Sequence, residues 1–275
     1  MKYFIAILVL SVLIFIGTIL TKKPSNTRTW EDDQIILPTI KLTNGAVTFE
    51  NIRDFSYTSE FEYTKAYKDK TFPVANLHSV DYIVVPFGSI GGAHTFLSFG
   101  FQNEAEEIEY VAISVEIRKE QDETFSAIKG LMRNYELMYV VASEEDAIQL
   151  RTNHRNNNVY LYPTNGAQST QIALLKDIAK RVTTLHETPE FYNTVTNNCT
   201  TNIAQHINNI NGDEFQVPWN INLLLPEKSD EYAKQRNFLD VDETLSTEEL
   251  RAKYYISDKA KATSSLPFSK KIRLQ

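Results

Sequence analysis

Five strand-like segments followed by helical patterns constrain the fold of this chain more than any other feature. The segments are rich in Val, Ile, Tyr and Phe, and Gly, Asn or charged residues separate them. They read DYIVVPFG, AHTFLSFGF, EYVAISVEIRK, ELMYVVAS and NVYLYPT, and lie between residues 81 and 164. Between the last two, SEEDAIQLRTNHR is consistent with a short helix. A meandering antiparallel sheet followed by helices is an α+β fold.

Three helical patterns follow the strand segments. Residues 169–185 carry apolar residues at helical spacing and predict one amphipathic helix. A second helix is expected to begin at or just before Cys199. Ser246 and Glu249 form a capping-box pattern that predicts the start of a third helix.

The N-terminus carries an uncharged, mostly apolar stretch from Tyr3 to Leu20. That length is at the short end of what crosses a hydrocarbon core of about 30 Å. No small-residue cleavage pattern and no cysteine follow it, so we interpret residues 1–22 as one transmembrane anchor rather than a cleaved signal. The lysines on either side slightly favour a cytoplasmic domain by the positive-inside rule.

The rest of the chain divides into three parts by composition. Residues 23–35 are a polar linker, and residues 36–256 suit one globular domain with a core that needs no covalent cross-link. Residues 257–275 form a polar, basic tail that is expected to be loose.

Charge and composition exclude several kinds of partner. The net charge of −7 argues against a nucleic-acid partner, which needs a basic surface to neutralise phosphates. The five histidines are scattered without metal-ligand spacing, so neither a metal nor another cofactor is expected. The single cysteine excludes an intramolecular disulfide.

Two neighbouring strand segments predict a hairpin that brings His94 and Glu116 together. A turn about Ala105 pairs residues whose numbers sum to 210, which sets His94 opposite Glu116. Odd-numbered positions then form an apolar face, and even-numbered positions form a face of mostly small or polar residues. Opposed residues have Cβ atoms about 4.5–5.5 Å apart, close enough for a contact between a carboxylate and an imidazole.

Two interpretations of the even-numbered face remain open from the residues alone. In the first, this face meets solvent, and His94 and Glu116 form a surface pair that contributes little. In the second, the face lines a cleft, and Glu116 holds the imidazole of His94 in one tautomer and orientation.

Cys199 stands in a polar run, YNTVTNNCTTNI, whereas a structural cysteine normally lies among apolar residues. In the first turn of the predicted helix, capped by Asn197 or Asn198, its thiolate would be stabilised. Such a thiolate is a competent nucleophile, and its own backbone N–H is a natural oxyanion donor. A partly buried cysteine without chemistry is the alternative.

The base for this thiol must come from another element. His206 follows Cys199 by seven residues on the same helix, which corresponds to about 10 Å of rise. His94 is therefore the best-placed candidate base.

Several short motifs resemble a known bacterial family when they are taken in order. AHTFLSFGF, ISVEIRKE, FYNTVTNNCTTNI and NLLLPEKSDEYA resemble the family named for the N-terminal periplasmic domain of Lnb, a lipoprotein N-acyltransferase. The resemblance runs from about Trp30 to Ile256. That family is similar to permuted papain-like thiol enzymes, in which the histidine strand precedes the cysteine helix, and His94 precedes Cys199 here.

The resemblance implies a single-pass inner-membrane protein with a periplasmic catalytic domain, an orientation that we prefer to the lysine count. It implies Cys199 as nucleophile, His94 as base and Glu116 as the orienting residue. The implied partners are a phospholipid acyl donor and a lipoprotein whose N-terminal amine accepts the acyl chain from a thioester on Cys199.

Two other functions remain open from the sequence. The chain can be a papain-like hydrolase of cell-wall peptides or lipid esters, or a non-catalytic binding module with the same fold. The stretch VPWNINLLLP, residues 217–226, is either an apolar wall for an acyl chain or ordinary core.

Overall fold

The computed structural model describes residues 3–5, 10, 17–88, 90–213 and 215–274. In these ranges no helix combines the length and the apolar character needed to cross a bilayer. The expected anchor, residues 1–22, falls largely outside the described residues.

A mainly antiparallel sheet occupies the centre of the molecule. Its strands are β1 (Thr39–Thr43), β2 (Ala46–Arg53), β5 (Tyr67–Pro73), β6 (Leu77–Phe87), β7 (Gly92–Gln102), β8 (Ile108–Arg118), β9 (Glu136–Ala142) and β10 (Tyr160–Pro163). The described strands follow the order β1-β2-β9-β8-β7-β6-β10, and β5 also pairs with β2. Strands β2 and β9 pair in parallel through Arg53 and Ala142. A separate small hairpin joins β3 (Ser56–Tyr57) and β4 (Tyr63–Thr64).

The five strand segments found in the sequence are β6 to β10, as predicted. The register of the β7–β8 hairpin is also confirmed, because the ladder runs from Phe96–Ser114 to Gln102–Ile108 with paired numbers that sum to 210. His94 lies two residues beyond the Phe96 end of this ladder.

Helices pack on both faces of the sheet, which makes the fold α+β as expected. They are α1 (Ala127–Leu131), α2 (Glu144–Gln149), α3 (Gln168–Glu187), α4 (Cys199–Asn211), α5 (Ile221–Leu224), α6 (Ser229–Gln235), α7 (Thr247–Tyr254), α8 (Ser257–Lys261) and α9 (Phe268–Ile272). A π-helical turn, Leu150–His154, extends α2, and 3-10 turns cover Val74–Asn76 and Pro226–Lys228. The predicted helices at 169–185, at Cys199 and after Ser246 are confirmed, the last with its capping box.

Helix α3 covers the odd-numbered face of the β7–β8 hairpin. Its buried stripe of Leu175, Ile178 and Val182 belongs to the same core as Leu97 and Phe99 of β7. Burying one such side chain contributes about 1.5–3 kcal/mol. This core holds the sheet against the layer that contains α4.

The even-numbered face is also buried, so the interpretation that it meets solvent is wrong. Phe96, Ser98 and Ala112 are at most 1% exposed. Ala147 and Ile148 of α2 are buried on this face, together with apolar residues of α8 and α9. The small and polar residues of this face leave room for a second helical layer.

The C-terminal residues up to 274 form part of that layer and not the expected loose tail. Ala260, Phe268 and Ile272 are buried against the sheet. Arg273 donates to Asp81 and Glu144, at 2.6 Å each. Because the few apolar side chains are spaced among lysines, the composition of this segment resembles that of a solvated tail.

Candidate active site

Helix α4 begins at Cys199 because the preceding residue caps it. The side chain of Asn198 accepts a hydrogen bond from the backbone N–H of Thr201 at 2.8 Å, and Thr201 Oγ1 accepts from the N–H of Asn198 at 2.7 Å. Asn198 Nδ2 also donates to the carbonyls of Thr194 and Leu223. This network makes Cys199 the first helical residue, where the positive end of the helix dipole favours a thiolate.

The first turn of α4 packs against β7 beside His94. Thr200 Oγ1 lies 2.9 Å from Thr95 Oγ1. The sulfur of Cys199 lies 4.0 Å from the carbonyl oxygen of Ala93 and 3.7 Å from Thr200 Oγ1. The helix therefore contacts the residues on both sides of His94.

The environment of the thiol favours its ionised form. Burial raises the pKa of Cys199, but polar neighbours outweigh burial and lower the pKa to about 7. The largest of these contributions are the hydrogen bond and the charge of His94, and the Thr95 N–H and the Thr200 hydroxyl contribute less. A substantial fraction of this thiol is therefore ionised near neutral pH. The structure brings together the two residues that the sequence suggested as nucleophile and base.

The hydroxyl group of Ser114 links His94 to the carboxylate of Glu116. His94 Nε2 lies 2.7 Å from Ser114 Oγ, which in turn donates to Glu116 Oε1 at 3.0 Å. The direct distance between His94 Nε2 and Glu116 Oε1 is 3.6 Å. The His94 ring also stacks on Phe96 with centroids 5.6 Å apart. The imidazole is thus held at one nitrogen and at one face.

An arginine keeps Glu116 ionised. Burial alone raises the pKa of Glu116, but Arg151, followed by His94 and Arg53, holds it far below its ordinary range. Arg151 Nη2 donates to Glu116 Oε1 at 3.0 Å, and its Nη1 donates to the carbonyl of Ala147. A full negative charge therefore faces the imidazole side of the site.

Sequence reasoning left Ser114 and Arg151 without roles. Ser114 lies two residues before Glu116 on the same face of β8, so the hairpin register already carried a signal for it. Arg151 reaches Glu116 from the π-helical turn, a contact between elements far apart in sequence for which the local pattern gives no signal.

His206 belongs to a different network. Its Nδ1 lies 2.7 Å from Asp177 Oδ2 and its Nε2 lies 2.7 Å from the hydroxyl of Tyr139. Both ring nitrogens are engaged, and the residue is 3% exposed. This agrees with the spacing argument against His206 as the base for Cys199.

An apolar cavity of about 400 Å³ borders the first turn of α4. Thr200, whose hydroxyl contacts the Cys199 sulfur, is one of its lining residues. Its apolar lining includes Leu97, Ile203, Ala204, Phe238 and Leu239. The volume is within the range of small-molecule sites, about 300–1,000 Å³.

The stretch 217–226 contributes to this cavity in part. Val217 and Leu223 line it and are buried. Trp219 is instead 57% exposed. The stretch is therefore partly cavity wall and partly surface.

A family model described as the Lnb N-terminal periplasmic domain matches residues 63–227. The matched segment is more than half of the chain and contains His94, Glu116 and Cys199. Comparisons with curated proteins and with solved structures gave no match. The chain belongs to the family of the Lnb N-terminal periplasmic domain.

Proposed function

We propose that this protein is a membrane-anchored, periplasmic acyltransferase that moves an acyl chain from a phospholipid to the N-terminal amine of a lipoprotein. The observation that carries the proposal is the thiol of Cys199, with its pKa lowered to about 7 beside His94 at the start of α4. The family match supports a periplasmic, Lnb-type envelope protein. The order of the histidine strand before the cysteine helix supports a permuted papain-like arrangement.

The first half-reaction forms a thioester. His94 accepts the thiol proton, and the Cys199 sulfur attacks the carbonyl carbon of a phospholipid ester. The backbone N–H of Cys199 donates to the oxyanion of the tetrahedral intermediate. The ester C–O bond then breaks, His94 returns the proton to the departing oxygen, and a lysophospholipid leaves.

The second half-reaction releases the acyl chain to an amine. A neutral α-amino group attacks the thioester carbon, the C–S bond breaks, and an amide forms. His94 takes the proton that the amine loses and gives it to the sulfur, which regenerates the thiol. Glu116 acts through Ser114 to orient the imidazole and to stabilise its positive charge.

The apolar cavity beside Thr200 is the proposed site for the donor's acyl chain. Its lining is mostly apolar, and the hydroxyl of Thr200, one of its lining residues, lies 3.7 Å from the sulfur that would carry the acyl group. Filling it should therefore shorten the chain that is transferred. We expect Ala204→Leu, which narrows the cavity, to shift products toward shorter acyl chains, as measured by mass spectrometry. Ala252→Leu, at an exposed position of α7, is the matched control.

The deciding experiment is mass spectrometry of lipoprotein N-termini in cells that lack the gene. We expect loss of the N-acyl chain, restored by the wild-type gene and by His78→Ala, a variant of an exposed histidine. Cys199→Ser and His94→Ala should not restore it. Fully N-acylated lipoproteins in the deletion strain would refute acyl transfer and leave a papain-like hydrolase or a binding module.

A further inference from the structure

An exposed apolar patch lies on the end of β6, on α1 and the residues before it, and at the start of α5. We define the apolar rim as Phe87, Phe125, Ile128, Leu131, Trp219 and Ile221. These side chains come from three separate segments and are between 45% and 63% exposed. Contiguous exposed apolar surface on a globular domain marks a contact with another molecule or with a membrane.

The rim segments contact one another and the loop that leads to Cys199. The rings of Phe87 and Phe125 lie 6.3 Å apart. Thr194 Oγ1 donates to the carbonyl of Ala127 at 2.7 Å, and Trp219 Nε1 donates to the carbonyl of Val195 at 3.2 Å.

The same loop is joined to the cap of α4. The carbonyl of Thr194 accepts a hydrogen bond from Asn198, the capping residue. The apolar rim is therefore joined to the loop that leads into Cys199.

The end of the N-terminal apolar stretch is hydrogen-bonded to residues next to the rim. Lys22 Nζ donates to the carbonyl of Met132 at 3.2 Å and to Asn134 Oδ1 at 2.6 Å. Arg133 Nη1 donates to the carbonyl of Leu20 at 3.2 Å. These contacts involve the residues that directly follow α1, which carries two of the rim side chains.

These hydrogen bonds indicate that a membrane covers the rim. A lysine that follows an apolar span extends its ammonium group into the headgroup region. Lys22 contacts the chain just after Leu131. The headgroup region of the membrane that the N-terminal stretch is expected to enter therefore has to pass close to α1. Trp219 suits the same region, since its N–H is bonded while its ring is exposed.

We propose that the apolar rim rests in the interface of the membrane that holds the N-terminal stretch, so that the loop leading into Cys199 faces the lipid headgroups. This goes beyond the proposed function, because a lipid hydrolase or an inert anchored domain could dock in the same way. It rests on the expected anchoring of residues 1–22.

The two tryptophans provide a direct test. Trp30 is 5% exposed, with the Arg118 guanidinium 4.2 Å from its ring, whereas Trp219 is 57% exposed. The full chain is reconstituted in phosphatidylethanolamine–phosphatidylglycerol vesicles made with or without acyl-brominated lipid. We expect brominated lipid to quench the fluorescence of the wild-type protein and not that of Trp219→Phe, which retains Trp30.

A pair of matched variants tests whether the whole rim docks. Ile128→Glu places a charge in the rim and should reduce the quenching of Trp219. Phe61→Glu places the same charge at a side chain that is 82% exposed on the β3–β4 hairpin and should leave the quenching unchanged. Equal emission of the wild-type protein in the two kinds of vesicle overturns the proposal, as does cross-linking of Trp219 to a second copy of the chain. The readout needs no enzymatic activity, so docking and acyl transfer can fail independently.

Discussion

One histidine, His206, belongs to α4 and another, His94, lies against its first turn, and their surroundings differ in one respect that matters for chemistry. His206 has a carboxylate at Nδ1, Asp177, and a hydroxyl at Nε2, Tyr139. His94 has the hydroxyl of Ser114 at Nε2 and the Glu116 carboxylate 3.6 Å away. It also lowers the pKa of the Cys199 thiol, and its side chain is 18% exposed. A carboxylate neighbour therefore does not distinguish a candidate base from a structural histidine. The distinguishing feature is that His94 acts on a reactive group, the Cys199 thiol, and is partly exposed to solvent.

The largest expected effect separates the two histidines by activity. Cys199→Ser and His94→Ala should each lower kcat for acyl transfer by about 10³-fold or more, because each removes a group that acts on the reacting atoms. His206→Gln should keep kcat within a few-fold, since no reacting atom contacts it. It should instead lower the free energy of unfolding by about 1–3 kcal/mol by leaving buried partners unpaired. Loss of activity in folded His206→Gln protein would contradict the comparison.

The titration of the thiol gives the next largest difference. Alkylation of the wild-type protein by iodoacetamide across pH should report a pKa of about 7 for Cys199. His94→Ala removes the two largest interactions that lower this pKa and leaves the burial that raises it, so the apparent pKa should rise well above 7, toward the free-thiol value of about 8.5. His206→Gln should titrate like the wild type. If His94→Ala also titrates near 7, His94 does not activate the thiol.

Changes one step away from each imidazole should be milder. Glu116→Gln and Ser114→Ala should each reduce kcat by about tenfold, as expected when general acid–base catalysis keeps its base but loses orientation. Asp177→Asn makes the corresponding change at His206 and should affect thermal stability alone. A steady-state assay with circular dichroism as a folding control compares the three. An unchanged kcat in both Glu116→Gln and Ser114→Ala would show that the orientation of His94 is set by its other contacts.

The smallest effect is a difference in pH dependence of stability. Burial lowers the pKa of His206 and outweighs Asp177, so the unfolded chain binds more protons there, and stability should fall as pH drops through about 6.5. The pKa of Glu116 is also lowered, so its contribution is present above about pH 4.3 and is lost only below it. The urea midpoint should thus depend less on pH than in the wild type, between pH 7 and 5 for His206→Gln and below pH 5 for Glu116→Gln. The reverse assignment of the two windows would show that these pKa shifts are wrong.

The parts of the fold that depend on local periodicity could be predicted from the sequence. Strands β6 to β10, the β7–β8 register and the start of α4 follow from alternation, helical spacing and a capping asparagine. Strands β1 to β5 were not anticipated. For β3 to β5 the reason is physical, since β5 exposes most of its side chains and β3 and β4 are only two residues long.

The candidate site shows the same limit. The proximity of His94 to Glu116 followed from the register of one hairpin, whereas the bond from Arg151 to Glu116 depends on how a later turn packs on β8. The burial of the even-numbered face depends on Phe268 and Ile272, near the C-terminus. Tertiary packing between distant elements decides these features, and local patterns carry no information about it.

The proposed function requires that Cys199, activated by His94, accepts an acyl group. Intact-protein mass spectrometry of the full chain after incubation with phospholipid vesicles tests it directly. We expect one added acyl mass on Cys199 that hydroxylamine removes, present in the wild type and His206→Gln and absent in His94→Ala. No adduct on Cys199 in a folded wild-type protein whose thiol remains alkylatable, or an equal adduct in His94→Ala, would contradict it.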